Sequence, residues 1–322
     1  MFRKLLKSGV AWGLQQTHFG GQSSRFVAAY HRTVDEFPRD PDSGIPSLYI
    51  SVKMLERQLD WIGRRFRFVS LDELMSLPPD AAPAAAVTFD DGYVDFYRQA
   101  FPLLKRKGIP AAVFVVTDLV GTTEWQIHDR IYGLLARSWR PGLAHALVDP
   151  LLSTMPQATL LRVIEHWQSG AALTDPDRRS LNWDEIAELH RAGITIGSHT
   201  RTHAILPAES KETVWSELRG SRLAIEARIG APVRHFAYPC GQFNGAALKA
   251  VEDAGYHFAY TICAHRNRAH SHLTIPRKVL WENSCLDAAG SFSPSIMGCH
   301  VDGSFDLFKG CEMNHGGALC WS

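Results

Sequence analysis

The sequence predicts an α/β protein, an incomplete or distorted parallel (β/α)7-8 barrel with a helical insertion at the rim. Three observations predict it. Short apolar runs alternate with stretches whose apolar residues recur at helical spacing. Most unusual polar residues fall where an apolar run ends, which is where parallel α/β folds build their sites. Residues 121–182 break the alternation with two or three amphipathic helices and no strand between them, as an insertion forming a rim or lid would. At 322 residues and 45% hydrophobic, the chain has an ample core for one catalytic domain. Its bounds are expected at residues 25–290, between an N-terminal amphipathic segment, 1–24, and an irregular C-terminal tail, 291–322.

Residues 1–14 place Arg3, Lys4 and Lys7 ahead of Val10, Ala11, Trp12, Gly13 and Leu14. The apolar part is too short for a signal peptide and no small-residue cleavage pattern follows, so a short amphipathic helix is expected, packed on the domain or in peripheral contact with a membrane. No stretch approaches the roughly 20 apolar residues that span a bilayer. Residues 25–31 read as a first buried strand that delivers His31 at its C-terminal end. Residues 39–47, rich in proline, form a surface loop. Ser51 caps a helix built on Met54, Leu55, Leu59 and Ile62.

Residues 68–71 form a short strand or edge segment, and residues 84–87 a buried one. Residues 94–107 are expected as a helix ended by Gly108, with Lys105, Arg106 and Lys107 placed favourably at the negative end of its dipole. That basic run needs no nucleic acid to explain it, and a formal charge of +1 gives no general field for one or for an anionic membrane. A strand at residues 111–116 precedes the insertion, whose Trp125, Trp139 and Trp167 suit its helical core or a sugar-stacking rim. Alternation then resumes. Helices at residues 183–192, 210–229 and 246–254 separate strands at 194–197, 235–238 and 257–261.

All six cysteines lie in the last third, at spacings that match no zinc ribbon or finger. They read as mostly reduced thiols, which favours the cytoplasm. Cys311, His315 and Cys320 read as part of a loose tail rather than a stray metal site.

Thr88, Phe89, Asp90, Asp91 and Gly92 carry the first chemical signal. Adjacent side chains in an extended chain point to opposite faces, so both carboxylates enter one site only if the backbone turns, which Gly92 permits. Two carboxylates so close repel unless a cation lies between them. His199 and His203, four apart beyond another strand, can bind one ion, and with one Asp they leave open positions for water and substrate.

With the strand-ending Phe236, Ala237, Tyr238, Pro239, Cys240 and Gly241, these motifs resemble the polysaccharide deacetylase family, the NodB-homology or carbohydrate esterase family 4 proteins, over about residues 26–277. The resemblance implies a hydrolase of carbon–nitrogen bonds that removes an N-acetyl, or an N-formyl, group from an amino sugar in a polysaccharide or glycoconjugate precursor. It implies Asp90 as general base, Asp91, His199 and His203 as ligands of one divalent metal, and the backbone N–H of Tyr238 as oxyanion donor beside Gly241. Zinc is the default metal, with cobalt, nickel and iron as alternatives.

Two departures from the commoner pattern stand out. No Leu-x-His motif appears near the C-terminus. His31 instead resembles the acid histidine of the permuted branch that includes poly-N-acetylglucosamine deacetylases, and is favoured as general acid over His270 or His272. The arginine of the third motif is missing, and Arg277 is the candidate to replace it by pairing with Asp90. A saccharide-binding pseudoenzyme, or a metal hydrolase of a non-sugar amide or ester, are the competing readings.

Overall fold

The computed structural model describes residues 24–40, 44–138, 141–167, 178–263, 267 and 269–308. The expected helix within residues 1–14, Trp139 and the cysteine-containing tail at 311–320 lie outside them.

The barrel grows from two strands that share a full register. β1 (Arg25–Tyr30) pairs in parallel with β5 (Ala84–Phe89), from Arg25 opposite Ala84 to Tyr30 opposite Phe89. Both are buried almost throughout, as strands covered on both faces must be. Beyond β5 follow β6 (Ala111–Val115), β7 (Thr195–Ser198), β8 (His235–Ala237) and β9 (Phe258–Thr261), all parallel. β4 (Arg67–Phe68) pairs with the start of β5. A separate parallel pair, β2 (Arg32–Val34) and β3 (Tyr49–Ser51), follows directly from β1 and is a feature the sequence reading missed.

The remaining gap is spanned by one irregular run. β10 (Ile275–Pro276) pairs with β9, and β11 (Lys278–Val279) pairs with β1. The backbone steps across at Arg277, whose N–H donates to the Thr261 carbonyl at 2.9 Å, and Leu280 N–H reaches the Ala29 carbonyl at 2.9 Å. The result is a nearly closed parallel barrel of eight strands, distorted where it closes.

Helix ends follow local chemistry. Ser51 accepts from Met54 N–H at the start of α1 (Val52–Gly63), and Ser70 accepts from Glu73 N–H at α2 (Leu71–Ser76). The helix expected over residues 94–107 is continuous, with a π-helical turn at Phe96–Ala100 leading into α3 (Phe101–Lys107). Pro102 has no N–H to return to the preceding turn, so the ladder loosens there. Gly108 ends α3 in the left-handed conformation.

The insertion holds three helices, α4 (Ile127–Ser138), α5 (Pro141–Thr154) and α6 (Gln157–Trp167). They share a core of their own, including Ile131, Leu135, Val148 and Leu160. It extends to Ile45 and Ile205 in loops of the barrel, which seats the insertion on the mouth. α7 (Trp183–Arg191) opens with a capping box between Asn182 and Glu185. α8 (Lys211–Ile229) and α9 (Gly245–Asp253) are capped by Ser210 and Asn244.

The expected tail from residue 291 is partly wrong. Ser293 caps α10 (Pro294–Val301), which buries Ile296, Met297, Cys299 and Val301. Met297 and Val301 join the main core with Leu280 and Cys285. Proline at the first turn and the serine cap were legible signals, but the short apolar run shows little amphipathic period and reads as loop without its partner surface.

Met297→Ala is expected to lower the free energy of unfolding by about 2–5 kcal/mol, the cost of emptying a buried site of this size. Urea unfolding followed by circular dichroism measures it. An unchanged midpoint would return residues 291–301 to the status of a tail.

Candidate active site

The polar residues converge at the C-terminal ends of the strands. Among the described residues, the non-glycine positions with positive φ are Asp91 at 70°, Thr200 at 67°, His203 at 65° and Cys240 at 50°. Each follows the end of β5, β7 or β8, so the left-handed backbone is confined to this one face. Asp91 itself makes the turn together with Gly92, whose φ is 65°. That bend, which the sequence reading assigned to glycine alone, brings the two carboxylates into one site.

Asp90 is held on two sides. Its N–H continues the barrel ladder to the Tyr30 carbonyl at 2.9 Å. Both carboxylate oxygens accept from Arg277, Oδ1 from Nη1 and Oδ2 from Nη2, each at 2.7 Å. Arg277 Nη1 also donates to Thr88 Oγ1 at 3.1 Å, and the guanidinium packs over the Phe114 ring at 5.3 Å. Burial alone would push the Asp90 carboxyl up, but Arg277, with His199, holds it down to about 2. It is therefore a carboxylate at any physiological pH.

Asp91 is the opposite case. Burial, then the charges of Asp90 and Asp129, push its carboxyl well above the ordinary range. Neither of its oxygens has a hydrogen-bond partner. Three histidine nitrogens surround them instead, His203 Nε2 at 3.5 Å and His199 Nε2 at 3.6 Å from Oδ1, and His128 Nε2 at 3.7 Å from Oδ2. These spacings are long for hydrogen bonds. They match the edge of a coordination polyhedron, since ligands about 2.1 Å from a tetrahedral ion stand about 3.4 Å apart.

The imidazoles are prepared for a cation. Burial lowers His199 to about 4, and burial with the neighbouring His199 and His128 rings takes His203 well below its ordinary value, so both are neutral at pH 7 as ligands must be. His199 Nδ1 lies 2.7 Å from the Ala237 carbonyl, which can only accept. The proton is therefore on Nδ1 and the Nε2 lone pair faces Asp91. Glu217 of α8 holds the intervening loop, accepting from the N–H groups of Arg201 and Thr202 at 2.8 and 3.0 Å and from Thr202 Oγ1 at 2.8 Å. Asp91, His128 and His203 each offer a ligand atom within 4.8 Å of the others.

These groups line a cavity of about 710 Å³, with His31 on the same wall and Cys240, Gly241 and Gln242 beside it. Burial lowers the His31 ring to about 4, against the opposing pull of Asp90, and its Nδ1 has no partner. His270 and His272 lie elsewhere. They precede β10, at the far end of the strands, where His272 lines a different cavity with Arg25 and Phe258. His145, Asp149 and Ser153 of α5 complete the site cavity from the insertion. Neither Trp125 nor Trp167 lines it, and Trp125 packs under Arg178 at 4.3 Å.

Tyr238 does not fill its expected role. Its N–H already donates to the Tyr260 carbonyl at 3.0 Å within the sheet, and its ring is buried edge-on against Phe236. A residue next to a strand end keeps its ladder bond, which no local motif could reveal. Gly241 does line the cavity, and a Cβ there would fall 2.7 Å from Ile262 N, so glycine is required by close packing as well as by its φ of 68°.

The sequence reading also missed His128 and Glu217, and Tyr93, whose hydroxyl donates to Asp129 Oδ2 at 2.6 Å and contacts His128 Nε2 at 2.8 Å. His128 lay in a stretch read as rim. The only local signal was its pairing with Asp129 near a helix start.

A parallel barrel with two strand-end carboxylates, one paired to a buried arginine and the other ringed by imidazoles, has the layout of a hydrolase site with residues able to hold a cation. Residues 78–259 match the polysaccharide deacetylase family, to which the chain belongs. Among curated proteins it is similar to YxkH of Bacillus subtilis (strain 168), provisionally named a polysaccharide deacetylase, at 22% identity over 220 residues. That alignment covers 67% of this chain and 59% of the relative, so the chain spans about three fifths of the relative's length.

Solved structures of similar fold include the Streptococcus pyogenes deacetylase PplD in complex with acetate, at TM-score 0.58 and 18% identity over 86% of this chain and 97% of that one. IcaB from Ammonifex degensii follows at TM-score 0.55 and 20% identity, covering 81% and 93% of the two chains. The de-N-acetylase from Aggregatibacter actinomycetemcomitans has the same score and identity over 80% and 95%.

Arg277→Met is expected to lower the free energy of unfolding by about 3–5 kcal/mol at neutral pH, because Asp90 is left as an uncompensated buried charge. Asp90 is depressed below its unfolded value, so the pair's contribution is present above about pH 4 and is lost as pH falls toward about 2. Urea titrations at several pH values would therefore show the gap between wild type and variant narrowing in acid. Equal stability at pH 7 contradicts the assignment.

Proposed function

We propose that the chain is a metal-dependent hydrolase that removes an N-acetyl group from an amino sugar within a polysaccharide or glycoconjugate precursor. The observation that carries this reading is the division of labour between adjacent carboxylates. Asp90 is locked ionised by Arg277 at 2.7 Å, and Asp91 offers both oxygens to a ring of neutral histidines. Membership of the polysaccharide deacetylase family supports the substrate class.

Asp91, His199 and His203 are the residues proposed to hold the ion. Two imidazoles and a carboxylate suit zinc first, with cobalt, nickel and iron as the other candidates. When bound, a divalent ion there would supply a polarised amide carbonyl and an acidified water.

The chain's own residues do the rest. Asp90 takes the proton of the attacking water, and its bidentate hold on Arg277 fixes both the direction of its oxygens and its charge. His31, on the same cavity wall, gives a proton to the departing amine nitrogen. Its ring is neutral at rest, so it first takes up a proton from solvent as negative charge growing on the reacting group raises it, and then passes that proton to the amine nitrogen. His145, Asp149 and Ser153 of the insertion present polar atoms suited to sugar hydroxyls. An N-formyl group would fit the same chemistry and is separated from N-acetyl by the identity of the acid released.

The test is release of acetate from a panel of N-acetylated saccharides, with and without chelator. Release is expected to stop on chelation and return with zinc. Asp90→Asn is expected to abolish turnover with metal content unchanged, and His203→Ala to lose both. His31→Ala is expected to lower kcat by about 10²–10⁴ while metal content stays at the wild-type level. Full activity in Asp90→Asn would sink the assignment.

A further inference from the structure

We propose that His128, supplied by the helical insertion, is a fourth protein ligand of the ion, so that the site is one aspartate and three histidines. This rests on the metal reading above and extends it to an element outside the motif-bearing strand ends.

Geometry points to it first. His128 Nε2 stands 3.7 Å from Asp91 Oδ2, nearly the same spacing that His199 and His203 keep from Oδ1. The two oxygens of Asp91 thus face imidazole nitrogen on both sides, and neither has a hydrogen bond. His203 sits between the other two rings, edge-on to His128 at 5.1 Å and to His199 at 5.0 Å between centroids. His128 is buried, and its ligand atom lies within 4.8 Å of those of both Asp91 and His203.

The surroundings of His128 are built to hold it there. The insertion begins and ends on the Asp91 turn. Gln126 Nε2 donates to the Asp91 carbonyl at 2.8 Å, Leu181 N–H to the Gly92 carbonyl at 2.8 Å, and Val94 N–H to the Arg179 carbonyl at 3.0 Å. A segment clasped this closely to the metal-facing turn positions a ligand as firmly as a barrel strand does.

Tyr93 gives His128 an alternative partner. The single hydroxyl hydrogen of Tyr93 goes to Asp129, so the 2.8 Å contact with His128 is satisfied when Nε2 carries the ring proton. With an ion present, His128 takes the other neutral tautomer, with the proton on Nδ1 and the Nε2 lone pair on the ion. No net proton is gained or lost in that exchange. A fourth protein ligand would still leave one position for water if the ion is five-coordinate, and positions for both water and substrate if it is six-coordinate.

The proposal is tested by X-ray absorption on the zinc-loaded full chain, which counts imidazoles by their multiple-scattering signature. Wild type is expected to show three and His128→Gln two. Competition with a chromophoric chelator is expected to give about 10–100-fold weaker zinc binding in the variant. The wild-type count needs no variant and stands even if His128→Gln folds poorly. Two imidazoles in loaded wild type overturn this proposal alone, as does an unchanged count in a folded variant. A wild-type chain that takes up no ion overturns the metal reading and this proposal with it.

Discussion

The buried pair between Arg277 and Asp90 ties closure of the barrel to the charge state of the candidate base. Arg277 sits at the step where the last run leaves β9 and joins β1, so its backbone completes the sheet and its guanidinium enters the barrel mouth. Neither charge could be buried alone without a large desolvation cost. Together they fix each other, and the bidentate geometry leaves Asp90 no freedom to rotate. The distorted closing strand is thus what brings Arg277 to Asp90, because a regular one would hold the same residue in a different register.

Around this pair the site is arranged by contrast. Asp90 is neutralised by an arginine, whereas Asp91, one residue on, receives no protein cation and no hydrogen bond. Such an arrangement is unfavourable without an ion and favourable with one, which is the usual signature of a preorganised metal site. The supports come from outside the strand ends, from Ala237 behind His199, Glu217 beneath the histidine loop, and Gln126 holding the Asp91 turn beside His128. The insertion therefore reaches the Asp91 carboxylate as well as forming part of the cavity wall.

The left-handed residues show why this face is where function collects. Asp91, Thr200, His203 and Cys240 adopt a backbone that side chains rarely tolerate, and the surrounding hydrogen bonds pin two of the strand-end loops in place. His199 and His203 do not share a helical turn or a strand. They meet because Thr200 and His203 fold the loop back on itself, and a four-residue spacing alone says nothing of that fold.

By itself the sequence determined the alternation of strands and helices, the capping residue Ser51, the place of the insertion, and the strand-end residues Asp90, Asp91, His199 and His203. These are legible because they depend on local periodicity, on turn chemistry and on motifs carried within a few residues. Tertiary structure alone decided the arrival of His128 at Asp91 and the burial of α10 against the core, and it made Arg277, a candidate in the sequence, the bidentate partner of Asp90 187 residues away. It also removed Tyr238 from the site, by engaging its N–H with Tyr260. Contacts of that kind join segments with no common period, and they exist only once the barrel has closed and brought its strand ends to one face.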